Sequence, residues 1–309
     1  MITKYFIIPL LCLQLPAFAQ LKITSVTKLP LPKSQAWSNV QAVDAKSVFF
    51  TTSDYQGIWQ YTFSTKSLKQ ITDDPRSGFG FAVSPDGKSV AYRRTLSETK
   101  DRVQEVVLKT LSTSAEQVVA RGENLSTPSF AETKVVCTND ANVQNLTAVT
   151  ATSRPVVLGI EDTKILLLEN GTKRLLDPLK NALPAGTRSS YIWPVLSPSG
   201  KNIVASEMTL GTFVCDLKGR VISRLGRRNG AVWTRDGKWL VYMKDVDDGH
   251  NISASDLFCV SPDGKKSAQL TTSKDKIELY PFCSPIENRI FCNTLEGDIL
   301  VLTYREAGR

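Results

Sequence analysis

Arginine is the residue type whose placement in this chain most suggests chemistry. Arg76, Arg93-Arg94, Arg188 and Arg227-Arg228 each stand in a polar stretch between β-rich runs. The planar guanidinium fork matches the paired oxygens of a carboxylate or phosphate. Tyr55, Trp193 and Tyr280 occupy comparable stretches, and aromatic rings beside arginine stack on peptides or sugars. Asp247 and the single histidine, His250, lie in a further polar stretch. Tyr55, Arg76, Arg94, Arg188, Trp193, Arg227, Arg228, Asp247, His250 and Tyr280 are therefore the candidate binding residues. The competing reading is that the arginines pair with nearby aspartates and hold loops in place.

Catalytic constellations are sparse. A Ser-His-Asp arrangement has to use His250, and no Gly-x-Ser-x-Gly elbow presents a serine. The run Asp245-Val246-Asp247-Asp248-Gly249-His250-Asn251 resembles a cation loop, but its glycine falls one place too early and no glutamate closes it. It reads as a solvated turn. Neither metal nor cofactor is expected. Glycoside hydrolysis needs only two carboxylates, which Asp54, Asp74 or Asp247 supply, so a carbohydrate-active enzyme is the alternative to a binding module.

The elements that position these residues are set by a repeat. Ser84-Pro85-Asp86-Gly87-Lys88 has near-copies at Ser197-Pro198-Ser199-Gly200-Lys201, Thr234-Arg235-Asp236-Gly237-Lys238 and Ser284-Pro285-Ile286-Glu287-Asn288. Each separates a short apolar run from a β-rich one. Proline fixes φ and lacks an N–H, so a strand ladder stops there, and Asp-Gly supplies the turn. A third strand follows (Gly57–Tyr61, Gly211–Val214, Asp256–Cys259, Asp298–Val301), and a fourth comes after a polar turn (Lys69–Ile71, Glu116–Val119, Val221–Ser223, Ala268–Leu270). Four short strands per unit, repeated, make the blade of a β-propeller. Ser261-Pro262-Asp263-Gly264-Lys265 joins third and fourth strands and does not begin a blade.

Lys46, Lys88, Lys134, Lys201, Lys238 and Asn288 mark the inner turns and give an all-β, six-bladed propeller of four-stranded antiparallel blades. The longest interval, Lys134 to Lys201, holds strands near Ile165–Leu168 and Arg174–Leu176, with 139–163 as an insertion. If that insertion is itself a blade, the count is seven. The last unit lacks a fourth strand, and the orphan strand Leu21–Val26 fills that place and closes the ring. In this architecture the candidate residues share the face opposite the inner turns.

Residues 1–19 read as a secretory signal peptide: Lys4, the apolar run Tyr5–Leu15, then Ala17-Phe18-Ala19. Residues 20–309 form one propeller domain without a membrane span, periplasmic or secreted, and expected to be monomeric. The formal net charge of +8 favours an acidic or anionic partner, while export and the lack of a long basic run exclude nucleic acid. Cys137, Cys215, Cys259, Cys283 and Cys292 lie in apolar runs or beside turns and read as small buried thiols. Cys283 and Cys292 flank one turn, and their pairing is left open.

Ser-Pro-Asp-Gly-Lys turns in this strand context, behind a leader, resemble the PD40 (WD40-like) repeats of TolB-type periplasmic propellers. Only about fifteen residues precede the first blade, so no counterpart of the TolB N-terminal domain is expected. The resemblance implies a propeller scaffold. A protein or peptide partner in the cell envelope, or an anionic ligand, is then expected at the mouth bearing the arginines and aromatics.

Overall fold

The computed structural model describes residues 20–96, 103–138, 154–248 and 251–307. The expected leader and His250 lie outside these residues. β1 (Gln20–Lys28) leads into the first blade, β2 (Trp37–Gln41), β3 (Ser47–Thr52), β4 (Ile58–Thr62) and β5 (Ser67–Thr72). The second is β6 (Ala82–Val83), β7 (Ser89–Thr95), β8 (Gln104–Thr110) and β9 (Glu116–Gly122). Then come β10 (Ser129–Ala131), β11 (Lys134–Val136), β12 (Val156–Glu161), β13 (Lys164–Glu169) and β14 (Thr172–Leu176). A further blade is β15 (Tyr191–Leu196), β16 (Asn202–Glu207), β17 (Gly211–Asp216) and β18 (Val221–Gly226). The next is β19 (Asn229–Trp233), β20 (Leu240–Asp247), β21 (Ile252–Val260) and β22 (Ser267–Gln269). The last is β23 (Glu278–Cys283), β24 (Arg289–Thr294) and β25 (Ile299–Ala307), with β1 as its outer strand.

Every pairing is antiparallel between neighbours, and the chain is an all-β propeller closed by its N-terminal strand, as the repeat implies. Five blades are complete four-stranded sheets. The remaining sector, β10 to β14, is split between a two-stranded sheet and a three-stranded one. The stretch expected as an insertion contributes β12, which pairs with β13; residues 139–153 lie outside the description. The cause is local: Val156 and Leu158 alternate inward and give β12 its own buried face.

The second strands show why the sheets stack. Phe49 packs with Tyr92 and Val107 of the next blade, while Phe50 packs with Phe291 and Val301 of the last. Val204 and Tyr242 meet on one side, and Ile203 and Ile165 on the other. Ala131 and Val136 meet Leu166 and Leu168, so an apolar layer also separates the two sheets of the split sector. A strand covered on both faces is a continuous apolar run, which Val48-Phe49-Phe50 and Leu240-Val241-Tyr242 are. All five described cysteines are buried free thiols, Cys283 and Cys292 included.

Turns of the Ser/Thr-x-Asp-Gly-Lys type share one construction. Ser84 Oγ accepts from Lys88 N (3.1 Å) and Ser89 N (2.9 Å) and donates to Asp86 Oδ1 (2.6 Å), while Gly87 takes φ 68°. Thr234 with Asp236 repeats it. Ser261 with Asp263 does so too, in the turn between β21 and β22.

Candidate functional site

Strand connectivity puts the β3–β4 loop, the β5–β6 connection and the far ends of β7 and β8 at the end opposite the inner turns. They enclose a cavity of about 530 Å³ lined by Asp54, Tyr55, Gln56, Arg76, Phe79, Arg93, Thr95 and Gln104. Tyr55 (φ 63°) and Arg76 (φ 59°) sit in the left-handed region, which side-chain-bearing residues seldom occupy. Backbone bonds hold that shape: Gly78 N donates to Tyr55 O (3.1 Å), and Phe79 N donates to Arg76 O (3.0 Å). The Tyr55 and Phe79 rings meet edge to face at 5.2 Å, and the Arg93 guanidinium lies 5.7 Å from the Phe79 centroid.

Strand parity divides the paired arginines. Arg94 stands opposite Glu105 in register, and it bonds Glu105 (3.0 Å), Glu116 (3.2 Å) and Asp74 (3.4 Å). Tyr92, two residues earlier on the same face, donates to Asp74 (2.8 Å) with Glu116 3.2 Å from the same hydroxyl, and burial pushes its phenol well up. Arg93, Thr95 and Gln104 share the other face, the one that lines the cavity. Arg94 is therefore a loop-holding residue, and Arg93 is the arginine that lines the cavity.

The other candidates are dispersed around the rim. Tyr280 and Trp193 sit at register shifts in the inner strands β23 and β15, with φ 50° and 51°. Bulges re-aim side chains, and both rings are partly exposed, at 48% and 37%. Burial, then the Tyr55 and Asp245 side chains, raises the Tyr280 phenol. Arg228 bonds the Tyr242 hydroxyl (2.7 Å) and is built into the wall between two blades. Arg188 pairs with Asp162 in the open. Arg227 and Asp247 are exposed and do not line the cavity. Asp248 accepts from Asn251 N (2.8 Å).

Sequence reasoning missed Phe79 and Gln104. Phe79 lies in a connection whose path depends on a backbone bond to the distant Tyr55, and Gln104 follows a segment outside the described residues. Among the described residues Asp54 is the one carboxylate that lines the cavity, held below its ordinary range by the Thr52 hydroxyl, with the Gln56 N–H adding to this. Among the described residues no three His, Cys, Asp or Glu side chains cluster as a metal site would require.

No protein-family model matches the chain, and no curated protein matches it in sequence. Solved structures do match in shape. The β-propeller domain of Cps50 (Swd1) from Myceliophteria thermophila superposes with TM-score 0.58 at 10% identity, covering 90% of this chain and 99% of that one. Oligogalacturonate lyase from Vibrio parahaemolyticus gives 0.52 at 11% identity, over 94% and 98% of the two chains. TolB from Acinetobacter baumannii gives 0.47 at 15% identity, over 90% and 67%. Identities this low establish the fold alone: the chain is a β-propeller. No helix among the described residues is long and apolar enough to cross a membrane.

Proposed function

We propose that the protein is a periplasmic or secreted binding module that takes a protein or peptide partner at the arginine- and aromatic-bearing mouth. The observation that carries this reading is the 530 Å³ cavity, where Arg76 and Arg93 stand with Tyr55 and Phe79. Its volume falls in the range of small-ligand pockets, about 300–1,000 Å³. Arg76 is exposed and makes no ion pair among the described residues, so its fork is open to a partner's anion. Trp193, Arg227 and Tyr280 extend the contact surface around the rim, and the protein acts as a monomer.

The test compares the protein with an Arg76→Ala/Phe79→Ala variant as bait for envelope extracts. A partner retained by the first and depleted at least tenfold with the second supports the reading. Retention indifferent to the substitutions overturns it. Of the carboxylates named from sequence for the enzyme alternative, Asp74 is bonded to Arg94 and Tyr92 and Asp247 is exposed away from the cavity; Asp54 instead shares an adjoining cleft of about 360 Å³ with Asp73. Loss of glycan cleavage in Asp54→Asn and Asp73→Asn, with no partner recovered, would replace the binding reading by this one.

A further inference from the structure

We propose that the cleft beside the mouth cavity is a saccharide-binding site, in which Trp59 and Gln70 donate to, and Asp54 and Asp73 accept from, the hydroxyls of a neutral sugar. The site goes beyond the peptide reading, since it shares only Asp54 and Gln56 with the mouth cavity, and what it is assigned is binding, not cleavage.

The cleft is formed by the connection before β2, the β3–β4 loop, the strands β4 and β5, and Asp73 just after them. Trp59 and Gln70 are cross-strand partners beside a register shift between Ile58 and Trp59. The indole N–H of Trp59 is buried and meets no acceptor among the described residues. Gly57, at φ 70°, keeps the space in front of it: a Cβ there would stand 3.5 Å from Trp59 Nε1, 3.3 Å from Gln70 Nε2 and 2.7 Å from Thr72 O. Two N–H donors thus converge on one gap that a side chain at position 57 would fill. Gln70 is exposed, and its amide has no hydrogen-bond partner among the described residues, so it is free to turn away from the indole. A buried donor without an acceptor is costly, and an oxygen arriving in the gap removes that cost. A reversed Gln70 amide would satisfy the indole from within, which makes the state of that N–H the decisive readout.

Two carboxylates line the same cleft. Asp54 Oδ1 accepts from the Thr52 hydroxyl and from Gln56 N (3.3 Å), which leaves Oδ2 without a donor, and Asp73 is exposed. Among the described residues neither forms an ion pair, and no lysine, arginine or histidine lines the cleft. An anionic ligand would therefore meet two carboxylates and no cation. An ammonium would suit the carboxylates and leave the indole N–H orphaned. A hydroxyl both accepts and donates, so neighbouring hydroxyls on one sugar ring serve both kinds of group. A peptide main chain carries both functions too, but it spreads them along about 3.5 Å per residue. The cleft volume of about 360 Å³, near the lower end of the range of about 300–1,000 Å³ for small-ligand pockets, favours a compact ring.

The experiment follows the indole N–H signals by NMR, with the methyl glycosides of glucose, galactose and N-acetylglucosamine as probes. The Trp59 signal is the one that Trp59→Phe removes. At least one glycoside should shift it saturably. Asp73→Asn should weaken that binding about tenfold or more, the loss expected for a hydrogen bond to a charged group. Trp59→Phe, read by calorimetry, should weaken it as well; if that half-buried variant does not fold, the exposed Asp73→Asn decides. A Trp59 signal that no glycoside moves overturns the site, as does glycoside binding undiminished by Asp73→Asn. Gln70→Ala should also weaken binding, and a gain in affinity would mean that the amide already satisfies the indole, which overturns the donor pair. Butylammonium and N-acetylglycine N-methylamide are the counter-probes. A saturable shift by the first that exceeds those of the glycosides assigns a cation site, and by the second a peptide site; either result overturns the saccharide.

Discussion

Arg94 stands among Asp74, Glu105 and Glu116, and its removal takes away the cation the three share, leaving Lys109 on Glu116 and the more distant Arg121 on Glu105. With the guanidinium side chain 23% exposed, Arg94→Met is expected to destabilise the fold by about 2–3 kcal/mol, less than a fully buried pair would cost. Arg188→Ala, which breaks an open pair with Asp162, should cost below about 1 kcal/mol. Urea titration of both variants checks the contrast, and equal effects would contradict the division of roles. A pH dependence also belongs to single residues. The Ser84 hydroxyl holds Asp86 below its unfolded value of 3.8, and the Ser261 hydroxyl does the same for Asp263. A depressed folded value means stability that is present above about pH 4 and is lost as the pH falls through the folded value. Asp86→Asn should flatten that acid slope, as thermal melts between pH 5 and 2 would show. The arginines were readable as candidates from sequence, since their type and polar surroundings are local facts. Which of Arg93 and Arg94 faces the cavity was not readable. Alternation says only that they oppose one another, and the neighbouring blade decides which face is the wall.

Among the elements, β1 is held by pairing along β25 and by Leu21, which is buried among residues of the last two blades. Leu21→Ala should cost about 2–4 kcal/mol, the usual loss for a buried leucine. Removal of residues 20–28 should expose the β25 edge and produce concentration-dependent aggregation, measured by light scattering. Stability unchanged by the truncation would mean that ring closure does not depend on this strand. The same scale shows where the repeat was legible. Ser-Pro-Asp-Gly-Lys turns announce themselves because proline, aspartate and glycine are local punctuation. The split sector was not announced, since β10 to β14 lack that turn and their pairing follows from which apolar faces find partners. The bulges at Trp193 and Tyr280 were equally silent, because a register shift is a property of two strands and not of one.

For the molecule as a whole, stacking blade on blade buries every described cysteine. Burial pushes the thiols of Cys137 and Cys259 up to about 11 and that of Cys215 up to about 12. A thiolate is the reactive species, so the native protein should ignore a thiol reagent at pH 8, and urea should release Cys137, Cys215, Cys259, Cys283 and Cys292 together. Rapid native labelling of one of them would point to an open blade interface. The sequence by itself determined the architecture: strand length, turn chemistry and a repeating apolar pattern act over a few residues and need no distant partner. The N-terminal strand as closure also followed from it, because one unit lacked what the other end supplied. Only the tertiary structure decided the cavity. Tyr55, Arg76, Phe79, Arg93 and Gln104 come from separate loops and strands, and Leu125, which orients two of them, from a connection further along the chain. Such a convergence is set by how blades pack, by strand parity, and by which backbone groups remain to be satisfied once they do.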